Sequence, residues 1–377
     1  MPGYLNCSIF FPAPSRGGAV YQAVSENNAA AVRQLLENNA DVNAQGGQFG
    51  NALQLAATNG NVEIATLLVR GGADVNALGG EFGCALIAAI VTRHDTIARQ
   101  LIHWGADVNT RCEGFGNPLY AAASRQRDEM VLHLLTHGAN VNAEGGYYGN
   151  ALQAAASADS LPTIRLLVQW GANVNAVGGH YGTPLQAAAA ISNLEMERIF
   201  VEAGENIGIE RQMALTWDYV SGGNNYTTPP DNADVVRFLL ENGANPKIER
   251  GIYRSTIYAA ANAGNKAAIH LLLQYGADIN ARGTDNLTPL HVALARQHKD
   301  AARHLIERGA DVNARCDLGS ALCIAAHRGD LDMVHALLSK GADINAPAGG
   351  YGTAIQAAFN SGNRAVIDLL DNRGFQR

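Results

Sequence analysis

The chain lacks a long apolar run and lacks an excess of positive charge. Its first 18 residues contain Ile9-Phe10-Phe11 but neither a basic leader nor an apolar run of useful length. We therefore expect no signal peptide, no transmembrane span and no membrane partner. The formal net charge is -7, which argues against a phosphate-binding surface, so we also expect no nucleic-acid partner.

Cysteine is scarce and scattered. Its five positions form no CxxC pair and have no zinc-like spacing with histidine: Cys7, Cys84, Cys112, Cys316 and Cys323. We therefore expect no metal and no cofactor. An odd, scattered set indicates reduced thiols, which predicts a cytoplasmic or nuclear protein.

Motifs that carry catalysis are also missing. The sequence has no GxxxxGK[ST] phosphate loop, no GxSxG nucleophile elbow and no HExxH zinc motif. Its many Gly-Gly pairs precede short amphipathic helical patterns, so they are not nucleotide-binding loops. These absences favour a protein that is not an enzyme.

What the chain does have is a four-residue phrase that recurs along its length. Ala-Asp-Val-Asn stands at 40–43, 73–76 and 106–109, a step of 33 residues. Variants follow at 139–142, 172–175, 244–246, 277–280, 310–313 and 342–345. A fixed period of this size is the signature of a solenoid built from stacked repeats.

Each repeat predicts a helix, a turn, a second helix and a projecting loop. Asn51 is a good helix N-cap, and the first helix is expected to stop at Asn59-Gly60-Asn61. Val62 begins the second helix, which Gly72 ends in a left-handed conformation. Aligned repeats share one column of leucine, around Leu68, and one of alanine, around Ala56, which predicts a leucine spine and closely stacked first helices.

The openings of the first helices carry a family resemblance. Thr288-Pro289-Leu290-His291-Val292-Ala293 resembles the signature of the ankyrin-repeat family. The resemblance implies an all-α solenoid of about eleven helix-turn-helix units with projecting β-hairpin-like loops. We expect a single array over residues 19–377, an N-terminal tail or cap extension over 1–18, and an irregular repeat with a loop insertion at 205–245.

A variant of the sequence that opens the first helices makes the family resemblance more specific. Asn-Ala-Leu-Gln, as at 51–54 and 150–153, occurs together with a Gly-Gly-x-aromatic-Gly loop tip. This combination is similar to ankyrin arrays of fungal proteins, including the sensor ends of immune-type receptors. The resemblance says much about fold and little about function.

Aromatic residues repeat at the loop tips. The column comprises Phe49, Phe82, Phe115, Tyr148, Tyr181, Tyr253 and Tyr351. A row of aromatic side chains along one edge could bind a protein partner. Alternatively each ring packs onto the next repeat and is structural, an interpretation that the regularity of the column favours.

Variable positions are further candidates for specificity. Arg125 follows a first helix on the predicted concave side, and Tyr147 and His180 lie in the loops. Such positions suit recognition on a rigid scaffold, or they are simply solvated. His133 and His137 lie four residues apart on a second helix, but no third ligand is in reach, so we expect no metal site there.

The seventh unit breaks the pattern. Trp217-Asp218-Tyr219 replaces the usual helix opening, and a glycine- and proline-rich loop that contains Tyr226 follows. A Trp, a Tyr and an Asp beside a loop could form a ligand pocket or a partner site. The alternative is a degenerate repeat that its neighbours tolerate.

The leading hypothesis is a non-catalytic scaffold that binds another protein through its concave face and loop tips. The candidate partner-binding residues are Phe82, Phe115, Arg125, Tyr147, Tyr148, His180, Tyr181, Trp217, Tyr226 and Tyr253. One alternative is an enzyme or small-molecule binder with a pocket in the groove near the seventh repeat, where Asp218, Tyr219 and Trp217 would be the catalytic residues. The other is a sensor array of an immune-type receptor.

Overall fold

The computed structural model describes residues 18–190, 233–346 and 352–374. These residues belong to two compact units, the first ending at Tyr147 and the second beginning at Tyr148. Most of the predicted irregular repeat, including Trp217, Asp218, Tyr219 and Tyr226, lies outside the described residues.

The first unit consists of four helix pairs. Their bounds are α1 Ala19–Ser25, α2 Ala29–Glu37, α3 Ala52–Asn59, α4 Val62–Arg70, α5 Ala85–Val91, α6 Asp95–His103, α7 Pro118–Ser124 and α8 Asp128–Thr136. First helices pack against first helices, as α3 does on α1 and α5, and second helices pack against second helices. The predicted solenoid of helix pairs is confirmed.

The second unit repeats the same arrangement. Its helices are α9 Ala151–Ser157, α10 Leu161–Gln169, α11 Pro184–Ala190, α12 Ala233–Glu241, α13 Thr256–Asn262, α14 Lys266–Gln274, α15 Pro289–Ala295, α16 Lys299–Glu307, α17 Ala321–Arg328, α18 Leu331–Ser339, α19 Ala354–Ser361 and α20 Arg364–Gly374. A short antiparallel pair, β1 Arg315–Cys316 and β2 Gly319–Ser320, opens one of its loops. A 3-10 turn, Thr284–Asn286, forms the tip of another.

Local signals in the sequence explain where the helices begin and end. The Asn51 side chain accepts a hydrogen bond from the Gln54 N–H at 2.9 Å, and Gln54 Oε1 accepts from the Asn51 N–H at 2.8 Å. This reciprocal pair is a capping box. Gly60 has φ of +73° and ends α3 in the left-handed region, where a residue without a β-carbon is favoured. The predicted bounds of the first helix are confirmed.

The predicted leucine and alanine columns form the buried core. Leu68, Leu101 and Leu134 are fully buried in the first unit, as is Leu167 in the second. The alanines that line the stacked first helices are equally buried: Ala56, Ala89, Ala122, Ala155, Ala188, Ala260 and Ala293. A larger side chain in this column would separate neighbouring helices, so the repeat of alanine fixes their spacing.

The first repeat presents a polar outer surface. Gln22 and Gln34 are exposed there, and a terminal repeat needs such a polar face because no further repeat covers it. Among the described residues, no helix combines the length and hydropathy that a membrane span requires.

Candidate functional site

The loops that leave the second helices close as short hairpins. In the first unit the Cys112 N–H donates to the Gly116 carbonyl at 2.7 Å. In the second unit the Gly178 N–H donates to the Gly182 carbonyl at 2.9 Å. These backbone pairs fix each tip, so the side chains at the tips are held in place by the fold.

Aromatic rings stack from one tip to the next in the first unit. The Phe49 and Phe82 ring centroids lie 5.9 Å apart with an interplanar angle of 5°. Phe82 and Phe115 follow at 5.3 Å and 50°. Phe82 and Phe115 are each only 8% exposed, so each ring packs on its neighbour as the structural interpretation predicts.

A second ladder of rings runs through the second unit. Tyr148 and Tyr181 stack at 5.9 Å and 4°, and Tyr181 stacks on Tyr253 at 6.2 Å and 12°. The Tyr253 ring continues onto Tyr258 of helix α13 at 6.3 Å. His180 packs edge-on against Tyr181, with centroids 5.0 Å apart. Aromatic pairs at these distances stabilise the stack beyond the area they bury.

A glycine two residues before the tip aromatic makes this stacking possible. Gly179 has φ of +60°, and a β-carbon there would overlap the backbone of Tyr148. Gly251 has φ of +68°, and a β-carbon there would overlap the backbone of Tyr181. The tips therefore approach at main-chain distance, and the Ile252 N–H donates to the His180 carbonyl at 3.2 Å. Within the second unit, the tip at Gly179 rests on Tyr148 and the tip at Gly251 rests on Tyr181.

One position of the first helix holds the loop of the next repeat. Gln54 Nε2 donates to the Ala77 and Gly79 carbonyls, both at 3.0 Å. In the second unit Gln153 Nε2 donates to the Gly178 carbonyl at 2.8 Å. The glutamine of the Asn-Ala-Leu-Gln phrase therefore caps its own helix and also positions the neighbouring hairpin, a role that the sequence alone does not indicate.

Exposure separates the described candidate partner-binding residues into three groups. Phe82, Phe115 and Tyr253 are buried, whereas Tyr147 is 38% exposed. The remaining described candidates are half-buried: Arg125, Tyr148, His180 and Tyr181. The buried rings can shape a binding surface but offer little area for direct contact. Their assignment to partner binding stays a prediction.

Sequence reasoning missed the most exposed apolar residues of the loops. Leu78 in the first unit is 60% exposed, and Val177 in the second is 51% exposed. Ile252, which follows Gly251 at the next tip, is 38% exposed. Leu78 and Val177 occupy a loop column that elsewhere carries polar residues such as Gln45, and this contrast is the signal that could have found them.

His133 of α8 and His137, which directly follows that helix, lie close to each other. The His133 and His137 ring centroids are 4.2 Å apart, and His137 Nδ1 lies 2.7 Å from the His133 carbonyl oxygen. Burial and the neighbouring His137 and Arg99 lower the pKa of His133. Across the described ranges, no group of three or more His, Cys, Asp or Glu side chains is placed to hold a metal ion.

A small cavity lies between α15, α16, α17 and α18. Its volume is about 80 Å³, and its lining includes Leu294, Lys299, Arg328 and Met333. Lys299 forms a 2.9 Å ion pair with Asp330 at its rim. Sites for small molecules usually measure about 300–1,000 Å³. This cavity is therefore too small for a typical ligand.

Comparison with known proteins supports the repeat assignment. Family models described as ankyrin repeats match residues 20–112, 111–178 and 226–316, and also residues 322–370. A solved structure titled "Crystal structure of human ASB11 ankyrin repeat domain" is similar, with 24% sequence identity and a TM-score of 0.52 over 67% of this chain and 97% of that one. No curated protein matches the chain. At this identity the structural likeness supports the fold alone.

Proposed function

Since the chain belongs to the ankyrin-repeat family, whose repeats are generally protein–protein interaction scaffolds, we propose that it is a non-catalytic scaffold for another protein. The proposed contact surface is the loop edge of the second unit, together with the adjoining concave face of the first helices. We define this loop edge by the exposed Val177 and Ile252, the half-buried His180, and the stacked Tyr148 and Tyr181 behind them.

The observation that carries the proposal is that apolar side chains are exposed on loop tips that the fold holds in place. Val177 and Ile252 are 51% and 38% exposed, although the tips that carry them are fixed by ring stacking and by the hydrogen bond from the Ile252 N–H to the His180 carbonyl. A preorganised apolar surface loses little entropy when it binds.

Charge on the same unit indicates the chemistry of the partner. Exposed arginines lie along its loops: Arg250, Arg254, Arg282 and Arg315. Arg282 also donates to the Asn286 and Arg315 carbonyls at 2.7 and 2.8 Å, which fixes its position at the tip. A partner segment that combines acidic and apolar side chains would complement this edge. Binding should then weaken as salt is raised.

Under this proposal the chain catalyses no reaction. Support comes from the size of the described cavity, about 80 Å³, which suits solvent better than a substrate. The enzyme or small-molecule alternative depends on Trp217, Asp218 and Tyr219, and it stays a prediction. The alternative of a sensor array of fungal type also stays a prediction. Tip stacking explains the Gly-Gly-x-aromatic-Gly phrase whatever the function of the array.

We also propose a cytoplasmic or nuclear location. The unpaired state of Cys84, Cys112, Cys316 and Cys323 supports it, because disulfides are rare in reducing compartments.

The test is affinity purification of the full chain from cells, with proteins quantified by mass spectrometry. One variant carries Val177→Ser, His180→Ser and Ile252→Ser on the loop edge. The control carries Trp170→Ser, Tyr275→Ser and Leu331→Ser, which remove side chains of similar exposure (42%, 44% and 37%) elsewhere in the same unit.

We expect at least one protein to be recovered with the wild type and the control but to be lost from the loop-edge variant. If the recovered proteins were lost from the control variant, or from neither variant, the proposed surface would be contradicted.

A further inference from the structure

Two cysteines depart from the repeat pattern at two different columns. Cys84 occupies the N-cap column of the first helices, where most other repeats have Asn, Thr or Ser, as at Asn51 and Thr288. Cys112 occupies a loop column that is glycine in most repeats, such as Gly79 and Gly178. Each departure by itself says little. The two residues lie in successive repeats of the first unit.

The stacking of repeats brings these two departures together. Cys84 caps α5, and its Sγ accepts from the Ile87 N–H at 3.5 Å. Cys112 Sγ lies 2.6 Å from the point where a β-carbon on Gly83 would stand. The Cys112 side chain therefore packs against the backbone next to Cys84, and the two thiols interact with each other. Both residues are buried, at 3% and 6% exposure.

The third repeat also lacks the usual means of holding the next loop. Where Gln54 and Gln153 reach into the following hairpin, this repeat has Ile87, which is fully buried and has no polar group. The Cys84–Cys112 contact lies where α5 meets the following loop. It therefore connects a helix to the hairpin of the next repeat, as the glutamines do elsewhere.

We propose that Cys84 and Cys112 form a redox modification site, in which a hydroperoxide oxidises the two thiols to a disulfide that ties α5 to the next loop. Cytosolic disulfides are usually transient or redox-sensing, which suits a reversible link between two repeats. The link would fix the hairpin that ends at Phe115 and Gly116, so it would set the position of one rung of the aromatic ladder.

The chemistry divides between the two sulfurs. The interaction with Cys84 lowers the pKa of the Cys112 thiol, whereas the interaction with Cys112 and burial raise the pKa of Cys84. The Cys112 thiolate attacks the terminal peroxide oxygen, the O–O bond breaks, and the alcohol (water, for hydrogen peroxide) leaves after protonation.

The resulting Cys112 sulfenic acid is then resolved by Cys84. The Cys84 sulfur attacks the Cys112 sulfur, the S–O bond breaks, and the departing hydroxide takes the Cys84 proton as water. Two thiols lose two electrons in total, and one peroxide is reduced. A small thiol reductant reverses the reaction through thiol–disulfide exchange.

The test uses the reduced full-length chain, treated with hydrogen peroxide and mapped by peptide mass spectrometry without reduction. We expect a Cys84–Cys112 cross-linked peptide, smaller than the sum of its parts by about 2 Da. Cys316 is the internal control, because it occupies the same loop column as Cys112 but the N-cap of the preceding repeat is Thr288. Cys316 should stay uncross-linked.

Cys84→Ser keeps a side chain that can cap α5. In this variant we expect no cross-link and a Cys112 that oxidises further, to sulfinic acid. The melting temperature of the oxidised wild type should exceed that of the reduced form by several degrees, and this difference should vanish in the variant. The proposal would be overturned if the folded chain gave no Cys84–Cys112 peptide. It would also be overturned if the cysteines formed the same cross-links, in the same proportions, in the folded chain and in the chain unfolded in urea.

Discussion

The side-chain amide of Asn76 holds Asp107 of the next repeat. The Asp107 N–H donates to Asn76 Oδ1 at 2.8 Å, and Asn76 Nδ2 donates to the Gly105 carbonyl at 3.1 Å. Asp107 in turn accepts from the Asn109 N–H at 2.9 Å, which closes a local turn. The recurring Ala-Asp-Val-Asn phrase is thus a clamp between successive repeats, and its aspartate and asparagine have separate roles.

Breaking this clamp should lower stability. Asn76→Ala removes both inter-repeat hydrogen bonds and should reduce the free energy of unfolding by about 1–2 kcal/mol, because each bond contributes about 0.5–1.5 kcal/mol. Urea unfolding followed by circular dichroism measures the change. Asn76→Asp keeps the acceptor and loses the donor, so it should cost less than alanine. Equal stability of the alanine variant and the wild type would refute the clamp.

The leucine spine should tolerate truncation far less than the surface of the same helix. Leu134 in α8 is fully buried, and Leu134→Ala should cost about 2–5 kcal/mol through lost packing and the cavity left behind. Leu132 on the same helix is 44% exposed, so Leu132→Ala should change stability by only about 0.5 kcal/mol. Chemical denaturation of both variants compares them, and similar costs would contradict the assigned core.

The tyrosine ladder should contribute stability through the stacking of its rings. Tyr181 stacks on Tyr148 and Tyr253, so Tyr181→Ala should cost about 1–3 kcal/mol. Tyr181→Phe keeps both stacks and should therefore cost less than Tyr181→Ala. Thermal unfolding measures both. A phenylalanine variant as unstable as the alanine variant would assign the effect to the hydroxyl group.

Asp159 should make stability depend on pH. Burial and the nearby Asp234 carboxylate raise the pKa of Asp159 from 3.8 to about 6. The native state therefore binds the proton more tightly than the unfolded state, and stability falls as pH rises from about 4 through 6. Asp159 has φ of +54°, a conformation that asparagine also adopts readily.

Asp159→Asn should therefore remove this pH dependence and stabilise the protein at pH 7 by about 1 kcal/mol, after allowance for solvent screening. Urea unfolding at pH 4, 5, 6 and 7 provides the comparison. Asp234→Asn removes the repulsion alone and should give a smaller gain. Parallel stability curves for wild type and Asp159→Asn would show that this carboxylate does not titrate as described.

The helices could be predicted because their signals are local. Asn51 and Gly60 bound α3 through cap geometry that depends on only a few neighbouring residues. The spine could be predicted because aligned repeats place Leu68 and Leu101 in one column. Both features could be predicted because the repeats within the sequence can be aligned with one another.

The candidate site was harder to predict because exposure at the tips depends on the next repeat. Phe82 and Tyr147 both look like exposed loop aromatics in the sequence, yet Phe82 is 8% exposed and Tyr147 is 38% exposed. Val177 looks like a core residue and is largely exposed. The contact between Cys84 and Cys112 arises only from the stacking of one repeat on another.

The central claim is that the second unit binds its partner at the loop edge, and amide hydrogen exchange tests it most directly. Exchange is measured on the full chain, alone and in complex with the protein recovered by affinity purification. We predict slower exchange in peptides that cover residues 177–182 and 250–255, with little change across the second helices α10, α14 and α18. Protection on those second helices, with the two loop peptides unchanged, would contradict the account.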